Sequence, residues 1–164
     1  MSDLKDIIDR YLNTKSNSLS FQYSEIIELP IDCLKLIHLK TLTITNCNLE
    51  SLNHLPPNIE FLNCSNNKIS KIENNLSEKI EHLNISNNFL ENTDKLGNPK
   101  LLDIGYNNIK ELKGLSSNLS FLNCEHNKIK NLEGKFKSNL LSLDCNNNCI
   151  ETITNLPDSI EILN

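Results

Sequence analysis

Apolar residues recur along this chain in one short frame: a leucine, a polar residue, an isoleucine or cysteine, a few small polar residues, then another aliphatic. Leu42-Thr43-Ile44-Thr45-Asn46-Cys47-Asn48-Leu49 aligns with Leu62 to Ile69, and the frame returns at Leu83 to Leu90, Leu102 to Ile109, Leu122 to Ile129 and Leu143 to Ile150. The leading leucines stand at 42, 62, 83, 102, 122, 143 and 163, a period of 19 to 21 residues. A weaker copy, with Leu19, Phe21, Ser24, Ile26 and Leu29, begins 23 residues earlier. Alternation within each copy predicts a short strand in which Leu42 and Ile44 face inward while Thr41, Thr43 and Thr45 face solvent. One such strand cannot bury its apolar side alone, whereas stacked copies can. Eight parallel rungs at ~4.8 Å give a spine of about 34 Å.

About ten residues per copy remain for the return path, too few for a helix of ordinary length, so the connecting arcs are expected to be irregular or 3-10. Leu52, Ile72, Leu112, Leu132 and Ile153, followed by Leu55, Leu76, Leu115, Phe136 and Leu156, are placed to form a second apolar wall. The longer first copy has room for one helical turn around Cys33 to Ile37. A row of Asn67, Asn88, Asn107, Asn127 and Asn148, with Cys47 and Ser24 in the same slot, marks where the chain turns inward. There a carboxamide satisfies backbone donors and acceptors that lose water. Ahead of the repeats, Leu4, Ile7, Ile8, Tyr11 and Leu12 fall at helical spacing with Ser2 as N-cap, an amphipathic helix suited to covering the first repeat. Its acidic face argues against a membrane-surface role.

The repeat resembles the leucine-rich repeat family from Leu19 to Asn164. That resemblance implies a solenoid of the α/β class, mostly β and irregular: a right-handed curved superhelix with a parallel β-sheet on its concave face and irregular or 3-10 convex arcs. Residues 1–17 would be an N-terminal capping helix and 18–164 a domain of about eight repeats, the last truncated. The short period and connectors such as Leu55-Pro56-Pro57-Asn58-Ile59 look like the compact bacterial-effector type, and the composition like repeat proteins of protists and large DNA viruses. The sequence stops at Ile162-Leu163-Asn164 within a strand. Either a truncated reading frame or end-to-end self-association through that open edge would account for it, and the sequence does not separate the two.

Composition narrows the chemistry. Among 164 residues there are 28 Leu, 28 Asn and 19 Ile but no Ala, Val or Trp, so the core is aliphatic and bulky. Part of that skew reflects AT-rich codons. Net charge is −5, and the 16 basic residues are scattered, which disfavours a nucleic-acid partner. No apolar run is long enough for a membrane span or a signal peptide, so an intracellular, cytoplasmic location and no membrane partner are expected. Cys64, Cys124 and Cys145 stand where other copies have isoleucine and read as core substitutes. Cys124 and Cys145 should be stacked neighbours, near enough for a disulfide to be considered. Cys149 aligns with Lys68 and Lys128 and is expected at the surface. Cys145-x-x-x-Cys149 without a histidine is a poor zinc site.

No phosphate-binding, zinc-protease or serine-nucleophile motif occurs, and neither cofactor nor metal is expected. Four N-x-S/T sequons, at Asn63, Asn75, Asn84 and Asn118, are what chance supplies in so Asn-rich a chain. The residue before each leading leucine (Thr41, Phe61, His82, Leu101, Phe121, Ser142) forms a partly apolar strip on the concave face, beside a polar row of Asn63, Asn84, Asp103, Asn123 and Asp144. Tyr106, Glu125 and His126 reach the same face. An open sheet excludes little water, so catalysis is not expected of these groups. A non-enzymatic module binding a protein or peptide is expected instead, with Phe61, Leu101 and Phe121 as anchors and Asp103, Glu125 and Asp144 selecting basic groups. The alternatives are the substrate-recognition part of a larger ubiquitin-ligase-type effector and a purely structural or oligomerising solenoid.

Overall fold

The computed structural model describes residues 4–132, 136, 139–153 and 155–164; Ser2, the expected helix cap, and Gly134 lie outside these. Helix α1, Leu4–Leu12, buries Ile8 completely and rests Leu4, Ile7, Tyr11 and Leu12 against the core. Eight strands follow: β1 (Ser18–Gln22), β2 (Thr41–Thr45), β3 (Phe61–Asn63), β4 (His82–Asn84), β5 (Leu101–Asp103), β6 (Phe121–Asn123), β7 (Ser142–Asp144) and β8 (Ile162–Leu163). They form one parallel sheet in sequence order. The register pairs Leu19 with Leu42, and then Leu62, Leu83, Leu102, Leu122, Leu143 and Leu163 in succession, so the leading leucines make one column.

Beside that column run Ile44, Cys64, Ile85, Ile104, Cys124 and Cys145, all buried, and on the far side of the core Leu49, Ile69, Leu90, Ile109 and Ile129. Each such aliphatic contributes roughly 1.5–3 kcal/mol by leaving water. One core thus runs the length of the stack.

The arcs are largely irregular. A 3-10 turn covers Ile31–Lys35, two residues ahead of the expected one, because Pro30 holds an extended conformation and starts the turn immediately after itself. Leu52, Leu76, Leu112 and Leu132 are buried in the second wall, but Ile153 is about half exposed, since no later arc among the described residues lies over it. The missing member of that column is Thr93, fully buried. Its hydroxyl donates to Lys113 O and accepts from Lys113 N, both at 2.6 Å, so a polar side chain substitutes for leucine without an unmet hydrogen bond.

Thr45 departs from the expected alternation: it is buried rather than facing solvent. The backbone turns inward at this position, and Ser65, Ser86 and Gly105 share the buried slot. One residue later the turns hold a left-handed backbone: Tyr23, Asn46, Asn66, Asn87, Tyr106, His126 and Asn147 all have φ between 49° and 56°.

The asparagine row works as expected. Asn107 Oδ1 accepts the Leu90 N–H at 2.9 Å, while Nδ2 donates to Ile85 O, Ile104 O and Gly105 O at 3.1–3.2 Å. Asn67, Asn88, Asn127 and Asn148 repeat the pattern on their own turns. Cys47 and Ser24, in the same slot, each bond only to a carbonyl two residues back.

Candidate functional site

Position along the strand decides which side chains reach the open face of the sheet. The residue before each leading leucine points outward, and strand pairing sets Thr41, Phe61, His82, Leu101, Phe121 and Ser142 next to one another in that order. Phe61 is 38% exposed and Phe121 39%, while His82 and Leu101 between them are half-buried. The Phe61 and His82 rings meet at a tilt, centroids 5.8 Å apart. With Asn63, Asn84 and Asp103 opposite and Leu83 and Leu102 beneath, these residues line an open groove of about 200 Å³.

The polar row beside the strip is tied to the backbone through one oxygen of each side chain. Asn63 Oδ1 accepts the Ser65 N–H, Asn84 the Ser86 N–H, Asp103 the Gly105 N–H, Asn123 the Glu125 N–H and Asp144 the Asn146 N–H, all at 3.0–3.1 Å. The chain is leaving the sheet here, and these N–H groups are met by the side chain two residues back. An acceptor oxygen is what the slot requires, which explains why it holds only Asn and Asp from Asn63 to Asp144. Asp144 is occupied further, its Oδ2 accepting from Asn164 Nδ2 at 3.4 Å.

A second group lies beyond the strand ends of β5 and β6. Tyr106 and His126 stack nearly parallel, centroids 4.2 Å apart and planes at 16°. Both are exposed, and both hold the left-handed backbone (φ 55° and 49°) that four other turns assign to asparagine. A bulky side chain in that conformation costs about 1–2 kcal/mol. Asn147 Nδ2 stands 3.0 Å from His126 Nε2, a bond the neutral ring accepts, and Glu125 Oε2 lies 4.0 Å from the same nitrogen.

Gly105 joins the two groups. A Cβ there would sit 3.2 Å from Glu125 Cγ, 3.3 Å from Asn123 Nδ2 and 3.3 Å from Asp103 Oδ1, closer than ordinary van der Waals contact, so glycine lets these three side chains close in on the backbone. Burial raises the Asp103 carboxyl above its usual range; the Gly105 N–H opposes that shift and the neighbouring Glu125 charge adds to it. Among the described residues no lysine or arginine pairs with Asp103, Glu125 or Asp144.

Of the expected site residues, Phe61, His82, Leu101, Asp103 and Phe121 therefore share one groove. Tyr106, Glu125 and His126 form an adjoining cluster, and Asp144 sits one strand further on, engaged with Asn146 and Asn164. Gly105 went unrecognised in the sequence, although its place in a slot otherwise held by Thr45, Ser65, Ser86, Glu125 and Asn146 was a signal.

All six cysteines are free, five of them buried and Cys149 exposed. Burial raises the thiols of Cys64, Cys124 and Cys145, and that of Cys33 to about 11. No helix among the described residues is long and apolar enough to cross a membrane.

Comparison with solved structures agrees with the column of leucines. YopM, a leucine-rich effector protein from Yersinia pestis, superposes with a TM-score of 0.74 at 25% sequence identity, over 99% of this chain and 45% of that one. The chain is a leucine-rich repeat solenoid. YopM from Yersinia enterocolitica gives a TM-score of 0.65 at 24% identity, over 90% of this chain and 41% of its own. This leucine-rich repeat chain thus spans less than half the length of either neighbour. No protein-family model and no curated protein matches the sequence.

Proposed function

We propose that this leucine-rich repeat protein is a non-enzymatic interaction module whose open sheet face binds an extended segment of a partner protein. The observation that carries the reading is the strip itself: two phenylalanines more than a third exposed, with His82 and Leu101 between them in a single register column. Contiguous exposed apolar groups are unfavourable in water unless something covers them. From β3 to β6 the strip crosses three strand spacings, about 14 Å, the span of roughly four extended residues. Apolar partner side chains would seat between the rings, while the carboxylates of Asp103 and Glu125, to which no described lysine or arginine is paired, favour a segment carrying positive charge. Asp144, held by two partners of its own, contributes only to the local potential.

The test compares proteins retained from lysate by the immobilised chain, by Phe61→Ala/Phe121→Ala and by a control altered on the arcs, Ile31→Ser/Phe89→Ser. A partner kept by the first and third and lost by the second supports the reading, provided circular dichroism shows all three folded. Retention by all three alike would refute it.

A further inference from the structure

Two rows of side chains bound the groove, and they differ in chemistry. On one side His82 and Leu101 stand as register neighbours, both half-buried, with Phe61 and Phe121 closing the ends. On the other side Asn84 and Asp103 are neighbours in the same register. Residues two apart on a parallel strand lie about 6.6 Å from each other on one face, roughly the reach of one aromatic side chain. The recess between the rows holds about 200 Å³. Each polar side chain commits one oxygen to the turn that follows: Asn84 Oδ1 accepts from Ser86, and Asp103 Oδ1 accepts the Gly105 N–H. Asn84 Nδ2 and Asp103 Oδ2 have no hydrogen-bond partner among the described residues, so a donor is left beside an acceptor, facing an apolar wall.

We infer that this recess is the anchor site for a tyrosine of the docked partner, its ring laid across His82 and Leu101 between the two phenylalanines and its hydroxyl between Asn84 Nδ2 and Asp103 Oδ2. A phenol hydroxyl donates one hydrogen bond and accepts others, which answers the acceptor and the donor together. An indole only donates and would cover the Asn84 amide without answering it. Phenylalanine or leucine would cover both groups and leave both unmet, and a covered polar group without a partner is unfavourable. Lysine and arginine have no acceptor for the Asn84 amide. Contact of the tyrosine ring with Phe61 and Phe121 adds to the area it buries. The combination occurs at one place along the stack. Asn63 and Asn84 together offer only donors, Asn123 Nδ2 is turned to Glu125 Oε1, and Asp144 Oδ2 is held by Asn164.

The inference rests on the open face being the docking surface, but it can be tested without a partner. The probe is the acetylated and amidated peptide Gly-Gly-Tyr-Gly-Gly, titrated into the full chain and followed by NMR at the Asn84 side-chain amide and the Phe61 and Phe121 rings. It should shift these signals saturably and bind at least about threefold more tightly than the same peptide carrying phenylalanine, tryptophan or O-methyltyrosine at its centre. Asp103→Asn keeps an acceptor for the Gly105 N–H but puts a second donor where the free acceptor stood, so it should bring tyrosine level with O-methyltyrosine. Leu101→Ser, shown folded by circular dichroism, should weaken all four peptides. Equal binding of tyrosine and phenylalanine, tighter binding of tryptophan, a tyrosine preference that survives Asp103→Asn, or no response to any peptide would each overturn the assignment. Should lysate partners vanish with Phe61→Ala/Phe121→Ala while the tyrosine peptide shows no preference, the groove stands and the anchor falls. A tyrosine preference alongside lysate partners indifferent to that double variant leaves the anchor and removes the groove as the docking surface.

Discussion

Replacing Asn107 by leucine, which nearly preserves volume, measures what the asparagine row contributes. Asn107 makes four hydrogen bonds, but their loss is not equal. Each of its three acceptors keeps another donor: Ile85 O retains Asn88 Nδ2, Ile104 O retains Asn127 Nδ2 and Gly105 O retains the Asn87 N–H. The Leu90 N–H has no other acceptor among the described residues, and Leu90 is buried. One orphaned buried donor costs about 1–3 kcal/mol, and three weakened carbonyls add some tenths each, so the total is roughly 2–4 kcal/mol. For a chain of this size that lowers the melting temperature by roughly 4–16 °C. Asn148→Leu should cost less, because Asn148 is partly exposed and water can reach the groups it serves. Asn74→Ser, on an exposed arc, should stay within about 0.5 kcal/mol. Urea denaturation followed by circular dichroism, with calorimetry in parallel, gives all three. An unchanged midpoint for Asn107→Leu, or a larger loss for Asn148→Leu, would refute the accounting.

Thiol titration of the native chain with a chromogenic disulfide should count one fast equivalent, Cys149, with the buried five reacting only after unfolding; several fast equivalents would contradict their burial. Asp103→Asn keeps an acceptor for the Gly105 N–H, as Asn63, Asn84 and Asn123 do for their own turns, and removes a carboxylate whose charged form the fold disfavours. Because the folded-state pKa is raised above the ordinary 3.8, the carboxylate weakens the native state at neutral pH, and that penalty fades as pH falls through the folded value toward the unfolded one. The variant should therefore melt higher than the parent at pH 7, by a margin that shrinks toward pH 4; a constant margin would mean the carboxyl is not perturbed.

Much of the architecture could be read from spacing alone, because a period of 19 to 21 residues allows only one way to stack the leucines, and the strip from Thr41 to Ser142 follows from register. Three features escaped for physical reasons. Alternation predicts Thr45 outward, but the strand ends there and the turn carries it inward. Asn63 and its column look like free polar groups until one sees that the next turn of backbone needs their oxygens. The strain at Tyr106 and His126 is a property of φ, which residue identity signals only through contrast with the asparagines in the same slot.

Every carboxamide of the row reaches back to the turn before it and no further. Such a lattice has neither a centre nor a keystone. Duplicating or excising one whole period would leave each remaining copy with the neighbours it requires, whereas shifting the frame by a single residue would mis-set everything around the splice. A gene built this way can change length by recombination between its own copies at little structural cost, and the face it offers to partners would grow or shrink by one rib at a time.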